Sequence, residues 1–175
     1  MNVWYSLSDI PGNEASVVTI GNFDGMHNGH KKVVSTCIER AHKLGVDAVA
    51  ITFDPHPIQV HKPEVGLQLI SPLRDRLDAM AAAGLDATLV AHYDASVYSL
   101  EPEEFVYEYL VGRWGAREVV GGEDFRFGRG NAGTIDTLRE LGSRYGFGVI
   151  TVTDIEAPEG RRWSSSWVRE LLAAG

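Results

Sequence analysis

Short apolar runs alternate along this chain with longer segments in which apolar residues recur at helical spacing. A helix is predicted from residue 29 to about residue 44, and Gly45 is a suitable residue to end it. Its apolar positions fall on one face: Val33, Val34, Cys37, Ile38, Ala41 and Leu44. Five apolar runs have the length of buried strands, at residues 17–20, 48–53, 87–91, 117–120 and 149–152.

The same spacing predicts four more helices. Ser71-Pro72 and Pro102 indicate two helix starts, while Gly84 and Gly146 mark two ends. The apolar positions that define these helices are, in chain order, Leu73, Leu77 and Met80; Phe105, Val106, Tyr109, Leu110 and Trp114; Ile135, Leu138, Leu141 and Tyr145; and Val168, Leu171 and Leu172.

This alternation predicts an α/β fold with a doubly wound, mainly parallel, five-stranded Rossmann-like sheet. The length favours a single domain over residues 1–175. Ligands of such sheets bind beyond the carboxyl ends of the strands. The residues with candidate chemistry follow Ile20, Phe53 and Val120, so several signals converge on one edge of the sheet.

Composition narrows the class of partner. The apolar fraction of 44% and the charged fraction of 23% are ordinary for a globular protein, and the net charge is −8. We therefore expect small-molecule substrates rather than nucleic acid, which more often binds a basic face. No apolar run reaches the length of a membrane span, so no membrane partner is expected. The lone Cys37 favours a core position and a cytoplasmic location.

The most informative segment joins the first strand to the first helix. Its sequence is Gly21-Asn22-Phe23-Asp24-Gly25-Met26-His27-Asn28-Gly29-His30. Glycines let the backbone approach a ligand closely, and a helix N-terminus offers unpaired N–H groups to an anion. Two imidazoles at the same corner add further donors. The segment predicts a nucleotide-phosphate site suited to nucleotidyl transfer.

Three later segments carry further candidate chemistry. Phe53-Asp54-Pro55-His56-Pro57 follows the second strand and by itself indicates only a proline-rich turn. Residues 121–133 form a glycine-rich loop with two arginines and two aromatic residues, Phe125 and Phe127. These rings either pack on a flavin or adenine ring or anchor the loop in the core. Asp124 positions one of three groups: a flavin phosphate, a metal ion or the nucleotide.

The last segment is Trp163-Ser164-Ser165-Ser166-Trp167-Val168-Arg169. Serine is a preferred N-cap, so a capped helix is one interpretation. The other is a second phosphate cradle, built from hydroxyls, free N–H groups and Arg169.

The four segments together resemble the bacterial FAD synthetase (FMN adenylyltransferase) branch of the nucleotidylyltransferase superfamily, in the order found there and over residues 21–169. The first segment alone indicates only the superfamily. Ser166 stands where the family usually has threonine, and Trp167 where many members carry arginine or a smaller residue.

The resemblance implies transfer of AMP from ATP to FMN, forming FAD and pyrophosphate with Mg²⁺ supplied on the nucleotide. The implied catalytic residues are His27, His30 and Arg169. Implied ATP-binding residues are Gly21, Asn22, Phe23, Asp24, Gly29, Ser164, Ser165 and Ser166. Implied flavin-binding residues are Phe53, Pro55, His56, Pro57, Asp124, Phe125 and Phe127. No protein metal site is implied.

Two other functions stay open at this point. One is nucleotidyl transfer to a different phosphate-bearing acceptor, such as phosphopantetheine or a nicotinamide mononucleotide. The other is a flavin- or nucleotide-binding module without turnover. Bacterial members of the family usually continue into a riboflavin kinase barrel, so the chain is expected to be either a one-domain enzyme or the adenylyltransferase part of a longer chain.

Overall fold

Six parallel strands form one sheet at the centre of the fold, in the order β1-β4-β3-β2-β5-β6. The computed structural model describes residues 1–12, 15–158 and 160–175. The strands are β1 (Asn2–Trp4), β2 (Ser16–Ile20), β3 (Asp47–Asp54), β4 (Ala87–His92), β5 (Ala116–Gly122) and β6 (Gly148–Val152). Each neighbouring pair runs in the same direction, so all carboxyl ends meet at one edge.

Helices connect the strands and cover both faces of the sheet. They are α1 (Asn28–Leu44), α2 (Pro57–His61), α3 (Leu73–Ala83), α4 (Ala95–Tyr98), α5 (Pro102–Val106), α6 (Ile135–Tyr145) and α7 (Ser165–Ala174). A turn of π-helix, Tyr107–Val111, continues α5.

Alternating residues of β2 divide the core into two layers. Val17 packs with Val34 and Cys37 of α1 and Met80 of α3 on one face of the sheet. Val18 packs on the other face, in the cluster that contains apolar residues of α5 and α6. Strand side chains alternate between faces, so buried strands of this kind need apolar residues at successive positions.

The predicted doubly wound α/β fold is confirmed, and each of the five predicted strands corresponds to a strand of the sheet. The count of five strands is wrong by one, because β1 adds a three-residue edge strand paired with β4. A segment this short carries almost no periodicity. Trp114, placed by its spacing on the helix from Pro102, instead lies after the π-helical turn and packs against Trp4, with ring centroids 5.3 Å apart.

Cys37 is fully buried, as expected, and its thiol donates to the Val17 carbonyl at 3.3 Å. Burial raises the pKa of this thiol to about 12, so it stays protonated at neutral pH. Among the helices of the described residues, none is long and apolar enough to cross a membrane.

The chain reverses its direction across the sheet between β2 and β5. From β2 the chain proceeds outward through β3 and β4, and it then returns to place β5 on the opposite side of β2. Loops leaving β2 and β5 therefore diverge and open a crevice at the carboxyl edge. In open α/β sheets this switch point is where ligands bind.

Candidate active site

The loop between β2 and α1 has a constrained backbone. Phe23 and Met26 adopt positive φ angles of 51° and 38°, a region that non-glycine residues seldom occupy. Both side chains are buried, and this packing offsets the conformational cost. Gly25 has φ of 80°, and a Cβ there would lie 2.8 Å from Cγ2 of Ile70. The loop is therefore held in one shape before any ligand arrives.

The two histidines lie face to face at the start of α1. Their ring centroids are 3.7 Å apart with 23° between the ring planes. His27 is the N-cap residue, and its Nδ1 accepts a long hydrogen bond of 3.4 Å from the backbone N–H of His30. In a neutral ring, Nε2 of His27 then carries the proton. A Cβ at Gly29 would lie 3.1 Å from the His27 ring, which explains glycine at this position.

Both imidazoles favour their neutral form. Burial lowers the pKa of His30 to about 3, with His27 adding to the shift and Asp24 opposing it. Burial also lowers the pKa of His27. The positive charge of Arg162 lowers it further, and the negative charge of Asp24 opposes both effects. At neutral pH these rings act as hydrogen-bond donors and not as cations.

A cavity of about 270 Å³ lies over this corner, between the ends of β2, β5 and β6 and the start of α7. Its polar lining is formed by His27, His30, Asp124, Thr153, Asp154, Arg162, Ser164 and Ser165. We call it the histidine cavity. Ser164 is the N-cap of α7 and accepts from the Trp167 N–H at 3.2 Å. The starts of α1 and α7 thus face the same space.

Arg162 supplies an arginine to the histidine cavity, and sequence reasoning missed it. Its guanidinium donates to Asp124 at 2.6 Å and lies 3.0 Å from an oxygen of Asp154. Its position directly before the Trp163-Ser164 segment is the sequence feature that could have identified Arg162 as a site residue. Asp124, expected on the flavin side, lines the histidine cavity instead.

A second cavity, of about 290 Å³, lies on the other side of the β2 end. Its aromatic lining is formed by Phe53, Tyr93, Tyr98, Phe105, Phe125 and Phe127. We call it the aromatic cavity. Phe125 and Phe127 stack with ring centroids 5.4 Å apart. Phe127 is also part of the buried core, and Phe125 packs against it, so these rings anchor the loop as well as lining the cavity. Pro57 and Asn22 complete neighbouring parts of the wall.

The two cavities share a wall. Ile20, Gly21 and Phe125 line both of them. Gly21 follows the last residue of β2, so the shared wall lies at the switch point of the sheet. Groups bound in the two cavities would meet next to this glycine, where a Cβ would lie only 3.1 Å from Cζ of the buried Phe23 ring.

Asp24 and Arg169 lie behind the cavities, not within them. The Asp24 carboxylate is buried, accepts from the N–H groups of Ile70 and Ser71 at 2.9 and 3.0 Å, and pairs with Arg169. Arg169 also donates to the Gln68 carbonyl at 2.9 Å. Its guanidinium is therefore directed to Asp24 and not into the histidine cavity.

The other predicted site residues divide between lining and support. Gly29, Phe23 and Ser165 line the histidine cavity, although Phe23 is almost wholly buried. Asn22, expected at ATP, lines the aromatic cavity. Within the described part of the chain, Ser166, Pro55 and His56 line neither cavity. His56 is buried and caps α2, where its Nδ1 accepts from the Ile58 N–H at 3.2 Å.

Tyr93 and Tyr98 are further residues that sequence reasoning missed. They come from the end of β4 and from α4, segments without a recognisable motif, and only the tertiary fold brings them to Phe53. Tyr93 packs edge-on against Phe53 with centroids 5.4 Å apart, and its hydroxyl lies 3.0 Å from Nε2 of His61.

Comparison with known proteins agrees with this geometry. A family model described as FAD synthetase matches residues 9–167. A Geobacillus thermodenitrificans protein named for riboflavin kinase and FMN adenylyltransferase is 37% identical over 95% of this chain and 86% of its own length. The bifunctional riboflavin kinase/FMN adenylyltransferase of Escherichia coli is 33% identical over 97% of this chain and 53% of its own length.

Solved structures show the same fold. A Streptococcus pneumoniae crystal structure described as a macrolide-efflux protein has a TM-score of 0.83 at 26% identity, over 97% of this chain and 56% of that one. Pantoate-beta-alanine ligase from Francisella tularensis has a TM-score of 0.62 at 14% identity, over 97% of this chain and 73% of that one, and shows the fold alone.

The parallel sheet, its switch-point cavities and the histidine-capped helix together define a nucleotidylyltransferase-type α/β protein. Within that class, the chain belongs to the FAD synthetase family, because the family model covers most of its length. The chain spans about half the length of the Escherichia coli relative.

The buried His30 predicts a pH dependence of stability in the ligand-free protein. Its pKa is about 3 in the folded state and near 6.5 in the unfolded state. As the pH falls, the imidazole is therefore protonated in the unfolded state before it is protonated in the folded state. The free energy of unfolding should therefore fall as the pH decreases from about 6.5 toward 3. Urea titrations from pH 7 to pH 4 should show a shallower fall in His30→Gln. An equal fall in both proteins would contradict a neutral buried His30.

Proposed function

We propose that this chain transfers AMP from ATP to FMN, forming FAD and pyrophosphate. The observation that carries the proposal is the pair of adjoining cavities, one lined by two histidines and an arginine, the other rich in aromatic side chains. A dinucleotide product that joins an adenosine phosphate to a flavin phosphate matches two unlike cavities with a shared wall. Membership of the FAD synthetase family supports the same reaction.

On the nucleotide side, we assign the triphosphate to the histidine cavity. His27 and His30 donate to the bridging and β-phosphate oxygens. A neutral imidazole still carries one N–H group, so neither ring has to become an imidazolium ion. Ser164, Ser165 and Arg162 face the same space and hold the departing pyrophosphate. Gly29 lies in the first turn of α1 and keeps the backbone close to the phosphates.

On the flavin side, we assign the isoalloxazine ring to the aromatic cavity. Phe53, Pro57, Phe125 and Phe127 offer rigid apolar surfaces that lose little entropy on binding. Pro55 and His56 act behind these surfaces by shaping the turn into α2. Ser166 and Asp24 likewise act through the starts of α7 and α1, and Arg169 acts through Asp24.

The chemistry requires positioning more than proton transfer. An oxygen of the FMN phosphate attacks the α-phosphorus of ATP, a new P–O bond forms, and the bond from that phosphorus to the bridging oxygen breaks to release pyrophosphate. A phosphate monoester has a second pKa of about 6 and is largely ionised at neutral pH, so the attack needs no protein base. The chain aligns the two phosphates and stabilises charge on the leaving group.

Magnesium enters the proposal only as a companion of ATP. Among the described residues, no group of three or more His, Cys, Asp or Glu side chains is placed to hold a metal ion. Mg²⁺ is commonly bound through substrate phosphates and water, and when bound it neutralises phosphate charge. Asp124 and Asp154 already pair with Arg162.

We further propose that residues 1–175 form one adenylyltransferase domain. In the Escherichia coli relative, the riboflavin kinase then lies in the part of the chain that this sequence does not match, about half of that protein. Riboflavin phosphorylation is accordingly not assigned to this sheet.

Pyrophosphate release tests the proposed reaction directly. With ATP and Mg²⁺, the chain should release pyrophosphate when FMN is added and form FAD in equal amount, measured by chromatography. Phosphopantetheine and nicotinamide mononucleotide serve as alternative acceptors, because they carry a phosphate but no isoalloxazine ring. Turnover with either of these in place of FMN would overturn the flavin assignment, and FMN binding without pyrophosphate release would indicate a binding module.

His30→Ala should lower the rate of FAD formation by roughly 10² to 10³, the scale observed when one transition-state donor is removed. FMN affinity should change little, because His30 does not line the aromatic cavity. Single-turnover FAD formation and FMN fluorescence titration measure the two effects. His42→Ala, an exposed histidine near the other end of α1, is the matched control. Full activity in His30→Ala would remove this residue from the mechanism.

Arg162→Ala should raise the KM for ATP by about ten- to a hundredfold, the equivalent of one hydrogen bond to a charged group. The KM for FMN should stay within about twofold, because Arg162 lines the histidine cavity and does not line the aromatic cavity. Arg161→Ala is the control, since that neighbour pairs with Glu170 at 2.6 Å and packs over Trp167. Equal increases for both substrates would show that Arg162 only supports the fold.

A further inference from the structure

Arg76 of α3 is a buried cation directly behind the site. None of its side chain is exposed to solvent, whereas the side chain of Arg74, two residues earlier on the same helix, is 91% exposed. A buried charge is costly unless neighbouring groups compensate it, so the contacts of Arg76 show what the charge is retained for.

Those contacts converge on the carboxyl ends of two strands. Nη1 donates to the Asn22 carbonyl at 2.9 Å, and it lies 3.4 Å from the Phe53 carbonyl and 3.5 Å from the Thr52 hydroxyl oxygen. The Thr52 hydroxyl donates in turn to the Asn22 carbonyl at 3.2 Å. One guanidinium nitrogen therefore ties the residues that follow β2 to the end of β3.

The rest of the guanidinium is incompletely satisfied. Nη2 lies 3.5 Å from an Asp54 oxygen, an ion pair without hydrogen-bond geometry, and neither Nε nor Nη2 has a hydrogen-bond partner among residues 1–12, 15–158 and 160–175. A residue retained for stability alone would be better served by an apolar side chain of similar size. This points to a requirement for the position of the carbonyls that Nη1 holds.

The tethered residues belong to one side of the site. Asn22 and Phe53 line the aromatic cavity and are absent from the lining of the histidine cavity. The histidine half of the same loop has its own anchor, because Asp24 binds Ile70 and Ser71 and its carbonyl accepts from the Ser165 hydroxyl at 3.0 Å. Two buried charges thus fix the two halves of the loop separately.

We propose that Arg76 is a positioning residue for the flavin substrate, which holds Asn22 and Phe53 in the wall of the aromatic cavity and leaves ATP binding to the Asp24 anchor. The identification of the ligand as FMN rests on the proposed function. The assignment of Arg76 to the aromatic cavity rests on its contacts.

The test compares four variants with the wild type. Arg76→Met keeps the length of the side chain without the charge, and Arg76→Lys keeps a charge with fewer donors. Thr52→Val removes the second donor to the Asn22 carbonyl at nearly constant volume. Arg74→Ala, on the exposed face of α3, is the control. Equilibrium binding of FMN, by quenching of flavin fluorescence, and the KM values for FMN and ATP are measured for each, together with thermal unfolding.

Arg76→Met should weaken FMN binding by about tenfold or more, the scale expected for a lost hydrogen bond to a charged group, with the KM for ATP within about twofold. Arg76→Lys should recover part of the loss, and Thr52→Val should show a smaller loss for FMN alone. Arg74→Ala should match the wild type. If Arg76→Met does not fold, Arg76→Lys and Thr52→Val carry the same contrast between the two substrates.

Equal losses for ATP and FMN, or no loss for either, would overturn the assignment of Arg76 to the flavin side. A wild-type chain that forms no FAD would instead overturn the proposed function. Weaker FMN binding in the Arg76 variants would then still support the positioning role, because fluorescence quenching does not depend on turnover.

Discussion

The buried Asp24 carboxylate is the constraint on which the site depends. It lies four residues beyond β2 and joins three parts of the chain that are distant in sequence: the loop itself, the segment before α3 and the start of α7. A buried carboxylate without partners would be strongly unfavourable, so the N–H groups of Ile70 and Ser71 and the guanidinium of Arg169 are needed together. The position of α7, and with it of Ser164 and Ser165, follows from this cluster.

The buried ion pair that stabilises the loop is therefore separate from the hydrogen-bond donors that line the histidine cavity. Arg169 is neutralised behind the site by Asp24, whereas the histidine cavity is lined by two neutral imidazoles, three hydroxyls and Arg162, whose charge is paired with Asp124 and Asp154. Burial keeps the imidazoles neutral, so at neutral pH they offer N–H groups without adding positive charge to the cavity. An acidic net charge of −8 is compatible with such a site, because the favourable groups are local.

Strong periodicity and glycine-rich segments made most of the fold and the two histidines predictable, while the remaining features depend on tertiary contacts. The strand β1 is too short to show a pattern, and Tyr93 and Tyr98 carry no motif. Arg76 lies three residues after Leu73 and four before Met80, so helical spacing places it on the apolar face of α3 and Arg74 outside that face. Because arginine is ordinarily exposed, the type of residue concealed this position. The direction of Arg169 was equally hidden, since spacing places a residue on a helix without saying which anion it meets.

The shared wall explains why the two buried charges have to be separate. Ile20, Gly21 and Phe125 line both cavities, so any movement of the residues after β2 changes the position of one cavity relative to the other. Displacements of about 1 Å in such alignments lower rates by about 10². A single anchor would let the loop pivot about one point. Anchors at Asn22, through Arg76, and at Asp24, through Arg169, remove that rotation and keep Gly21 in a fixed place in the wall between the two cavities.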